Sequence, residues 1–346
     1  MQIVKKSRIR RKMQSVTMKQ VAELSRVSPS TVSLYLRKPE AVSEKAQEKI
    51  QNAIDTLGYV PNLIAGGLAA ARSNVVSIIV PSLRTAFFSQ WVNRVERLLS
   101  EHGIQTLIGH SEYSLDREER LVKAALSWKP AGIVLTGVQH TDTVRTMLAN
   151  SEVPVVETWD IDGEPIDTSV GFNHKEVGQK QCQQLIDRGC KNIVFVGARL
   201  QEDSRARMRC LGSSEAAIAA GIAFTHVSDL QPASTKVGVR ALNKIVSSFK
   251  DVDGIVCSSD IIALGLLFEC QRLAIKVPED MAIVGFGDLD FAETCNPGLT
   301  SIKLNFDKMA AIVTERLISS HSGLLKADLD TPVVDIGFEL VQRDSA

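Results

Sequence analysis

Residues 21–36 read VAELSRVSPSTVSLYL, and this stretch decides the fold of the N-terminal part of the chain. Thr17 precedes it as the N-cap of a short first helix, and a turn is predicted at residues 25–28. Ser28 then caps a second helix, in which Pro29 occupies the first turn. The side chains expected on the buried side of the first helix are those of Val21, Ala22 and Leu24.

A third helix is predicted from Glu44 to Leu57, with Ser43 as its N-cap. Its apolar residues recur at helical spacing and are Ala46, Ile50, Ala53, Ile54 and Leu57. Three short helices with a tight first turn favour a helix-turn-helix unit, because the small hydroxyl side chains of the second helix suit entry into the major groove. From the pattern alone, a small helical cap without DNA contact remains an alternative.

Basic residues are concentrated at the N-terminus of a chain whose formal net charge is zero. Residues 1–74 carry 13 Lys and Arg against 5 Asp and Glu, which leaves 27 basic and 35 acidic residues for the remainder. Residues 1–15 hold a basic run with too few apolar side chains to fold, so we predict a disordered arm that attracts phosphates. A basic head on an acidic body indicates nucleic-acid binding at one end.

From residue 75 onward, apolar strands alternate with amphipathic helices in two consecutive series. The predicted strands are 75–81, 104–109, 132–136 and 153–156, then 192–197, 254–257 and 281–286. The predicted helices are 88–102, 116–129 and 141–150, then 176–188, 207–219, 235–249 and 261–273. This alternation predicts an α/β core of two lobes, each a doubly wound parallel sheet, with ligands bound at the carboxyl ends of the strands.

Several motifs resemble those of the lactose-repressor (LacI/GalR) family. They are VTMKQVA at 16–22, VSPSTVS at 27–33, LGYVPN at 57–62, VGFN at 170–173, SDIIALG at 259–265, VPED at 277–280, GFGD at 285–288, LTSIK at 299–303 and ELVQRDS at 339–345. The resemblance implies a DNA-binding domain at 16–62, a hinge helix at 63–74 that folds on DNA, and a dimeric core at 75–346 like the periplasmic sugar-binding proteins. It places an N-lobe at about 75–172 and 304–330 and a C-lobe at about 173–303 and 331–346, with three crossings between them.

The resemblance also implies which residues contact a palindromic operator. They are Thr17, Met18, Ser28, Pro29, Ser30, Thr31, Ser33, Leu34, Tyr35, Asn62, Ala65 and Leu68, the last inserted into the minor groove. Leu34 stands where the family often has Arg, so we expect an operator that differs from the commonest half-site. Gly66 and Gly67 each disfavour a hinge helix by about 0.8 to 1 kcal/mol relative to alanine, so DNA must hold that helix.

A polyol effector is expected in the cleft between the lobes, held by carboxylates, amides and arginines over an apolar floor. The expected effector-binding residues are Ser82, Phe88, Tyr113, Asn173, Arg199, Arg209, Ser259, Asp260 and Asp288. Asn173 occupies a position that is often Asp, and this departure favours an anionic ligand. Fragments at 81–83, 126–128, 196–200 and 268–273 are similar to gluconate-utilisation members of the family, so a sugar acid is expected, with a neutral sugar or sugar phosphate as alternatives.

Other classes of protein lack support in the sequence. There is no GxSxG elbow, no Walker A loop and no Cys/His cluster at metal-ligand spacing, so we expect no enzyme activity, no catalytic residue, no metal and no cofactor. The six scattered cysteines indicate reduced thiols, and no apolar run approaches the roughly 18 residues of a membrane span. We expect a cytoplasmic homodimeric repressor, with corepressor-dependent or activating regulation as alternatives, rather than a transport-type binding protein.

Overall fold

The computed structural model describes residues 16–60, 73–84, 86–322 and 331–346. Two compact units are present, one ending at Ser73 and the other beginning at Asn74. The predicted basic arm at 1–15 and nearly all of the predicted hinge at 63–74 lie outside the described residues. The predicted DNA contacts Asn62, Ala65 and Leu68 lie outside them too.

The first unit contains three α-helices, α1 (Met18–Ser25), α2 (Pro29–Arg37) and α3 (Glu44–Leu57), and a 3₁₀ turn at Pro39–Ala41. Thr17 and Gln20 cap α1 reciprocally, each side chain accepting a hydrogen bond from the other's backbone N–H. Ser28 Oγ accepts a hydrogen bond from Thr31 N at 3.1 Å and so caps α2. A small core holds the helices together through Val21, Ala22, Val32, Val42, Ile50 and Ala53.

Two details of this unit differ from the prediction. Leu24 is 50% exposed rather than buried, because α1 is short and its inward side is already filled by Val21, Ala22 and Ser25. Ser43 occupies the N-cap position of α3, but its side chain makes no capping hydrogen bond.

The N-lobe of the second unit is a six-stranded parallel sheet. Its elements are β1 (Val75–Val80), α4 (Ala86–Glu101), β2 (Gln105–His110), α5 (Leu115–Leu126), β3 (Gly132–Thr136), α6 (Asp142–Ala149), β4 (Val155–Thr158), β5 (Thr168–Gly171), α12 (Phe306–Ser322) and β11 (Val333–Asp335). The strand order is β11-β5-β4-β3-β1-β2. Val76 pairs with Thr106 on one side and Gly132 on the other, so β1 is a central strand, and its residues from Val76 to Val80 are buried.

The C-lobe repeats this architecture with one antiparallel edge. Its elements are α7 (His174–Arg188), β6 (Asn192–Ala198), α8 (Ser204–Ala219), β7 (Ala223–Asp229), α9 (Thr235–Ser248), β8 (Gly254–Cys257), α10 (Asp260–Arg272), β9 (Ala282–Phe286), α11 (Phe291–Thr294), β10 (Thr300–Lys303) and β12 (Glu339–Val341). The strand order is β12-β10-β9-β8-β6-β7, and β12 alone runs antiparallel to its neighbour.

The chain passes from one lobe to the other after β5, after β10 and between β11 and β12. The expected C-lobe segment 331–346 needs a correction, because Val333 to Asp335 pair in parallel with β5 of the N-lobe. Strand β11 follows a helix of the N-lobe and completes the open edge of that sheet before the chain crosses. Only the residues after it join the C-lobe.

Candidate DNA-binding and effector sites

The N-terminus of α2 presents a cluster of small hydroxyl side chains. Ser28 Oγ lies 2.7 Å from both Ser30 Oγ and Thr31 Oγ1, while Ser28, Pro29 and Ser30 are exposed. The N–H groups and the dipole of a helix N-terminus favour a phosphate, and hydroxyls there can donate to the same anion. This surface has the chemistry of a DNA backbone contact.

The larger side chains predicted to contact DNA are only partly exposed. Met18, Leu34 and Tyr35 all pack against the small core of the first unit. Tyr35 also donates a hydrogen bond to Gln51 Oε1 at 2.8 Å, which fixes its ring against α3. Within residues 16–60 the sequence has six Lys and Arg against five Asp and Glu, so the excess positive charge of the N-terminal region comes mainly from residues outside the described part.

A cavity lies between the two lobes at the carboxyl ends of their strands. The N-lobe residues that line it are Ser82, Arg84, Phe87, Phe88, Tyr113 and Trp159. The C-lobe residues that line it are His174, Ala198, Arg199, Asp203, Arg205, Arg209, Pro232, Ala233, Ser258, Ser259, Ile261, Phe286 and Leu289. Six of the nine predicted effector-binding residues are therefore brought together, namely Ser82, Phe88, Tyr113, Arg199, Arg209 and Ser259.

The other three predicted effector-binding residues do not line this cavity. Asn173 Oδ1 caps α7 by accepting from Lys175 N and Glu176 N. The carboxylate of Asp260 is fully buried and accepts from Ser301 Oγ at 2.6 Å and Leu289 N at 2.8 Å.

Asp288 Oδ1 pairs with Arg343 Nη1 at 2.7 Å. Each of the three is engaged by its own lobe, and none of them is among the residues that line the cavity. Burial raises the pKa of Asp260 to about 6, against the hydrogen bond from Ser301 that lowers it.

Aromatic rings form the floor of the cavity. The ring of Phe87 lies 4.7 Å from that of Trp159 and 5.4 Å from that of Phe286, so the cluster joins both lobes. Phe88 meets Trp159 edge-on at 5.3 Å. Stacked and edge-on rings present flat apolar faces on which the C–H groups of a sugar chain pack.

Arg209 is held between this floor and two neutral acceptors. Its guanidinium carbon lies 3.9 Å from the ring centroid of Phe286, and the residue is only 4% exposed. Nη1 donates to His174 Nδ1 at 2.8 Å, and Nη2 donates to the carbonyl of Ser258 at 3.0 Å. Burial lowers the pKa of Arg209 to about 10, so the side chain stays cationic at neutral pH.

The close packing of α7 and α8 brings Arg209 to His174. A Cβ on Gly178 would collide with the carbonyl of Arg209, and one on Gly212 would collide with the carbonyl of Lys175. These glycines allow the two helix backbones to touch. His174 at the start of α7 then reaches the guanidinium on α8.

The partners of His174 fix its protonation state. A guanidinium has only donors, so Nδ1 must accept, and Nε2 must carry the proton that it donates to the carbonyl of Trp159 at 2.7 Å. Burial, followed by the charges of Arg209 and Arg205, holds the pKa of His174 well below its ordinary value. His174 is therefore neutral.

The cavity wall is strongly basic. Four arginines line it, and Asp203 is the one carboxylate among the described lining residues. Asp203 caps α8 by accepting from Ala206 N and lies 3.8 Å from Arg205 Nη2. Arg205 also reaches across the cleft, where Nη1 lies 3.5 Å from the carbonyl of Thr136 in the N-lobe. A bound anion would thus meet a net positive surface.

Three buried polar atoms on this wall have no hydrogen-bond partner among the described residues: Arg209 Nε, Ser259 Oγ and Trp159 Nε1. Buried polar groups are satisfied in nearly all native proteins, so three unsatisfied donors on residues that line one cavity make this cavity the candidate ligand site. All three can donate, as an oxygen-rich ligand requires.

Backbone strain is also concentrated around the cleft. Positive φ angles occur at Glu112 and Tyr113 after β2, Trp159 after β4, Arg199 after β6 and Asp288 after β9, with values from 45° to 73°. Residues other than glycine rarely adopt this region, and strained residues cluster at functional sites. The strand ends identified from the sequence are thus the strained loops of the structure.

Comparison with known proteins agrees with this architecture. The family model for bacterial regulatory proteins of the lacI family matches residues 17–62, and that for the periplasmic binding protein-like domain matches residues 182–346. The HTH-type transcriptional regulator GntR of Escherichia coli (strain K12) is 34% identical over 321 residues, which are 92% of this chain and 95% of that protein. The chain belongs to the lacI family.

Two further relatives show how completely the chain follows this family. The HTH-type transcriptional regulator IdnR of Escherichia coli (strain K12) is 30% identical over 94% of this chain and 97% of its own length. A lacI-family transcriptional regulator from Silicibacter pomeroyi has a structure similar to 95% of this chain, with a TM-score of 0.87 and 28% identity, and 99% of that chain is covered. This lacI-family chain is a DNA-binding transcriptional regulator and not an enzyme.

Several cavity residues of this lacI-family core were not predicted from the sequence. No role was predicted for His174, which begins α7 three residues after the end of β5, at the edge of the sheet where the cleft lies. Phe286 ends the predicted strand 281–286, and Asp203 lies six residues after the predicted strand 192–197. Among the described helices, none combines the length and apolar character needed to cross a bilayer.

Proposed function

We propose that this chain is a cytoplasmic, dimeric transcriptional repressor that binds a palindromic operator and responds to a sugar acid of the gluconate type in the interlobe cavity. The observation that carries the effector class is Arg209, a buried guanidinium on the cavity wall whose Nε has no partner among the described residues. A carboxylate satisfies such a group through charge-assisted hydrogen bonds. The four arginines of the wall support the same class of ligand.

Calorimetric titration with gluconate, idonate, glucose and glucose 6-phosphate tests the effector class. We expect binding of a sugar acid and a loss of affinity of about 30-fold or more in Arg209→Ala, since removal of a buried charged partner costs roughly 2–5 kcal/mol. Arg188→Ala is the matched control, because Arg188 is exposed on α7. Binding of glucose or glucose 6-phosphate with no binding of either sugar acid would contradict the proposed effector.

A partly exposed apolar patch on α10 supports the dimer. Leu264 and Phe268 lie one turn apart on this helix, Leu264 is partly buried and Phe268 is 49% exposed. Such a patch fits a second copy of the chain. In sedimentation velocity, Leu264→Glu/Phe268→Glu should be monomeric, whereas Val246→Glu on the exposed side of α9 should stay dimeric.

Control of DNA binding follows from linkage between the two sites. Effector that favours one arrangement of the lobes changes operator affinity, and operator DNA must change effector affinity by the same factor. The operator can be selected from random-sequence duplexes, and anisotropy titrations with and without effector then measure the coupling. Leu68→Ala should lower operator affinity and leave effector affinity unchanged. Release by effector supports repression, whereas tighter binding with effector would indicate a corepressor.

A further inference from the structure

The unusual feature of the cavity is that no carboxylate among the described residues pairs with the buried cation Arg209. None of the ion pairs found among the described residues involves Arg209. Both of its Nη atoms are satisfied by neutral acceptors, the imidazole of His174 and a backbone carbonyl. Buried arginines ordinarily pair with a carboxylate, because an uncompensated buried charge is costly.

The nearby acids are engaged elsewhere. Asp203 caps α8 and lies near Arg205, and Asp160 accepts a hydrogen bond from Asp162 N at 3.0 Å within its own loop. They influence Arg209 only through space. The positive charge of Arg209 therefore remains available to a ligand.

We propose that His174 sets the charge selectivity of the effector site: as a neutral acceptor it orients Arg209 without neutralising it, so that the site favours an anionic polyol over its uncharged analogue. This inference rests on the proposed sugar-acid effector and assigns the selectivity to a residue that acts through Arg209. His174 is thus a positioning residue, and its chemical neutrality is the property that matters.

The hydrogen bonds of His174 also explain why an imidazole serves this role. Its Nε2–H donates to the carbonyl of Trp159 in the N-lobe, while Nδ1 accepts from Arg209 in the C-lobe. One rigid ring thereby fixes the guanidinium relative to both walls of the cavity. A carboxylate at this position would hold Arg209 equally well but would cancel its charge.

The test uses two variants of the full chain that differ in one charge and hardly in shape, His174→Asn and His174→Asp. The ligands are gluconate and sorbitol, which share a six-carbon polyol chain and differ in the carboxylate. Dissociation constants are measured by calorimetry at pH 7, after thermal melts have shown that both variants fold.

We expect His174→Asn to bind gluconate within about fivefold of the wild type, because an amide oxygen replaces Nδ1 as a neutral acceptor. His174→Asp should bind gluconate about 10- to 150-fold more weakly, which corresponds to one lost charge-assisted interaction. Its preference for gluconate over sorbitol should fall by the same factor.

The other outcomes contradict either the role of His174 or the proposed sugar-acid effector. Equal gluconate affinity in the Asn and Asp variants, whether retained or lost in both, overturns the charge-selectivity role and leaves the sugar-acid effector standing. A wild type that binds sorbitol as tightly as gluconate overturns this inference as well. A wild type that binds no sugar acid contradicts the proposed function itself and the inference with it.

Discussion

Two buried histidine side chains, one in each lobe, lie in surroundings of opposite charge. In the N-lobe, His140 Nδ1 lies 2.6 Å from Glu118 Oε1, and Nε2 lies 3.2 Å from Glu157 Oε1. Burial alone would lower the pKa of His140, but the hydrogen bond and charges of the two glutamates raise it to about 9. His140 is therefore a cation at neutral pH.

In the C-lobe, His174 faces Arg209 and a carbonyl, and its pKa is held well below the ordinary value. Burial lowers the pKa of both residues, so burial does not explain why their charges differ. The partners explain the difference, through their own charge and their donor or acceptor character. The His140 cation compensates two buried glutamates outside the effector cavity. The neutral ring of His174 leaves the charge of Arg209 available to a ligand.

The largest expected effect is a loss of protein stability when His140, the charged histidine, is replaced. His140→Ala should lower the free energy of unfolding by about 3–5 kcal/mol at pH 7, because two buried glutamates lose their shared cation. Urea denaturation followed by the fluorescence of Trp91 and Trp159, both buried in the N-lobe, measures this loss. His226→Ala, at an exposed histidine, should cost less than about 0.5 kcal/mol. A loss below about 1 kcal/mol in His140→Ala would mean that the cluster is not an ionic one.

A second expected effect is a loss of folding stability as the pH rises into the alkaline range. The folded pKa of His140 is raised to about 9 from 6.5, so its contribution is fully present below pH 6.5 and is lost as pH rises through 9. Wild type should lose about 3 kcal/mol over this interval relative to His140→Gln, which cannot titrate. Parallel stability curves for the two proteins would show that His140 is neutral in the folded state.

A smaller effect of the opposite sign is expected on the acid side. The pKa of His174 is lowered in the folded protein, so below pH 6.5 the unfolded chain binds a proton that the folded protein does not bind. Wild type should lose up to about 1.4 kcal/mol per pH unit below pH 6.5 relative to His174→Asn. If the difference between the two proteins is flat from pH 7 to pH 5, His174 becomes protonated without penalty and the comparison fails.

The smallest expected effect concerns two serines at helix N-caps, whose hydrogen-bond partners again differ. Ser28 accepts a hydrogen bond from Thr31 N, whereas Ser43 makes no side-chain cap. Ser28→Ala should therefore destabilise its helix by about 1 kcal/mol, and Ser43→Ala by much less. Amide hydrogen exchange of α2 and α3 in the full chain compares them. Equal loss of protection in both variants would show that Ser43 caps its helix in solution.

The regular elements of the core were predictable because their signals are local. The strands Gly132–Thr136 and Gly254–Cys257 were predicted at their observed bounds, since a short continuous apolar run between two helices is typical of a buried parallel strand. The edge strand Ala223–Asp229 was missed, because most of its residues are at least partly exposed and it lacks such a run. Strand Val333–Asp335 has only three residues, and its place in the N-lobe depends on a distant partner.

The effector site was predictable in part for the same reason. Arg209 and Ser259 were predicted as effector-binding residues, and both line the cavity. Asp260 and Asp288 occupy equally suitable positions in the sequence, yet their carboxylates are engaged by Ser301 and Arg343. A sequence gives the type of a side chain at a strand end, but which groups compete for that side chain is decided in three dimensions.

The sequence by itself determined the helix-turn-helix unit, the two α/β lobes and the location of the cleft, because capping residues, apolar periodicity and strand ends act over a few residues. Only the tertiary structure decided that His174 is neutral, that His140 is charged and that no carboxylate in the described part of the chain pairs with Arg209. The physical reason is that the charge of a buried group depends on contacts within a few ångströms between residues 15 or more positions apart.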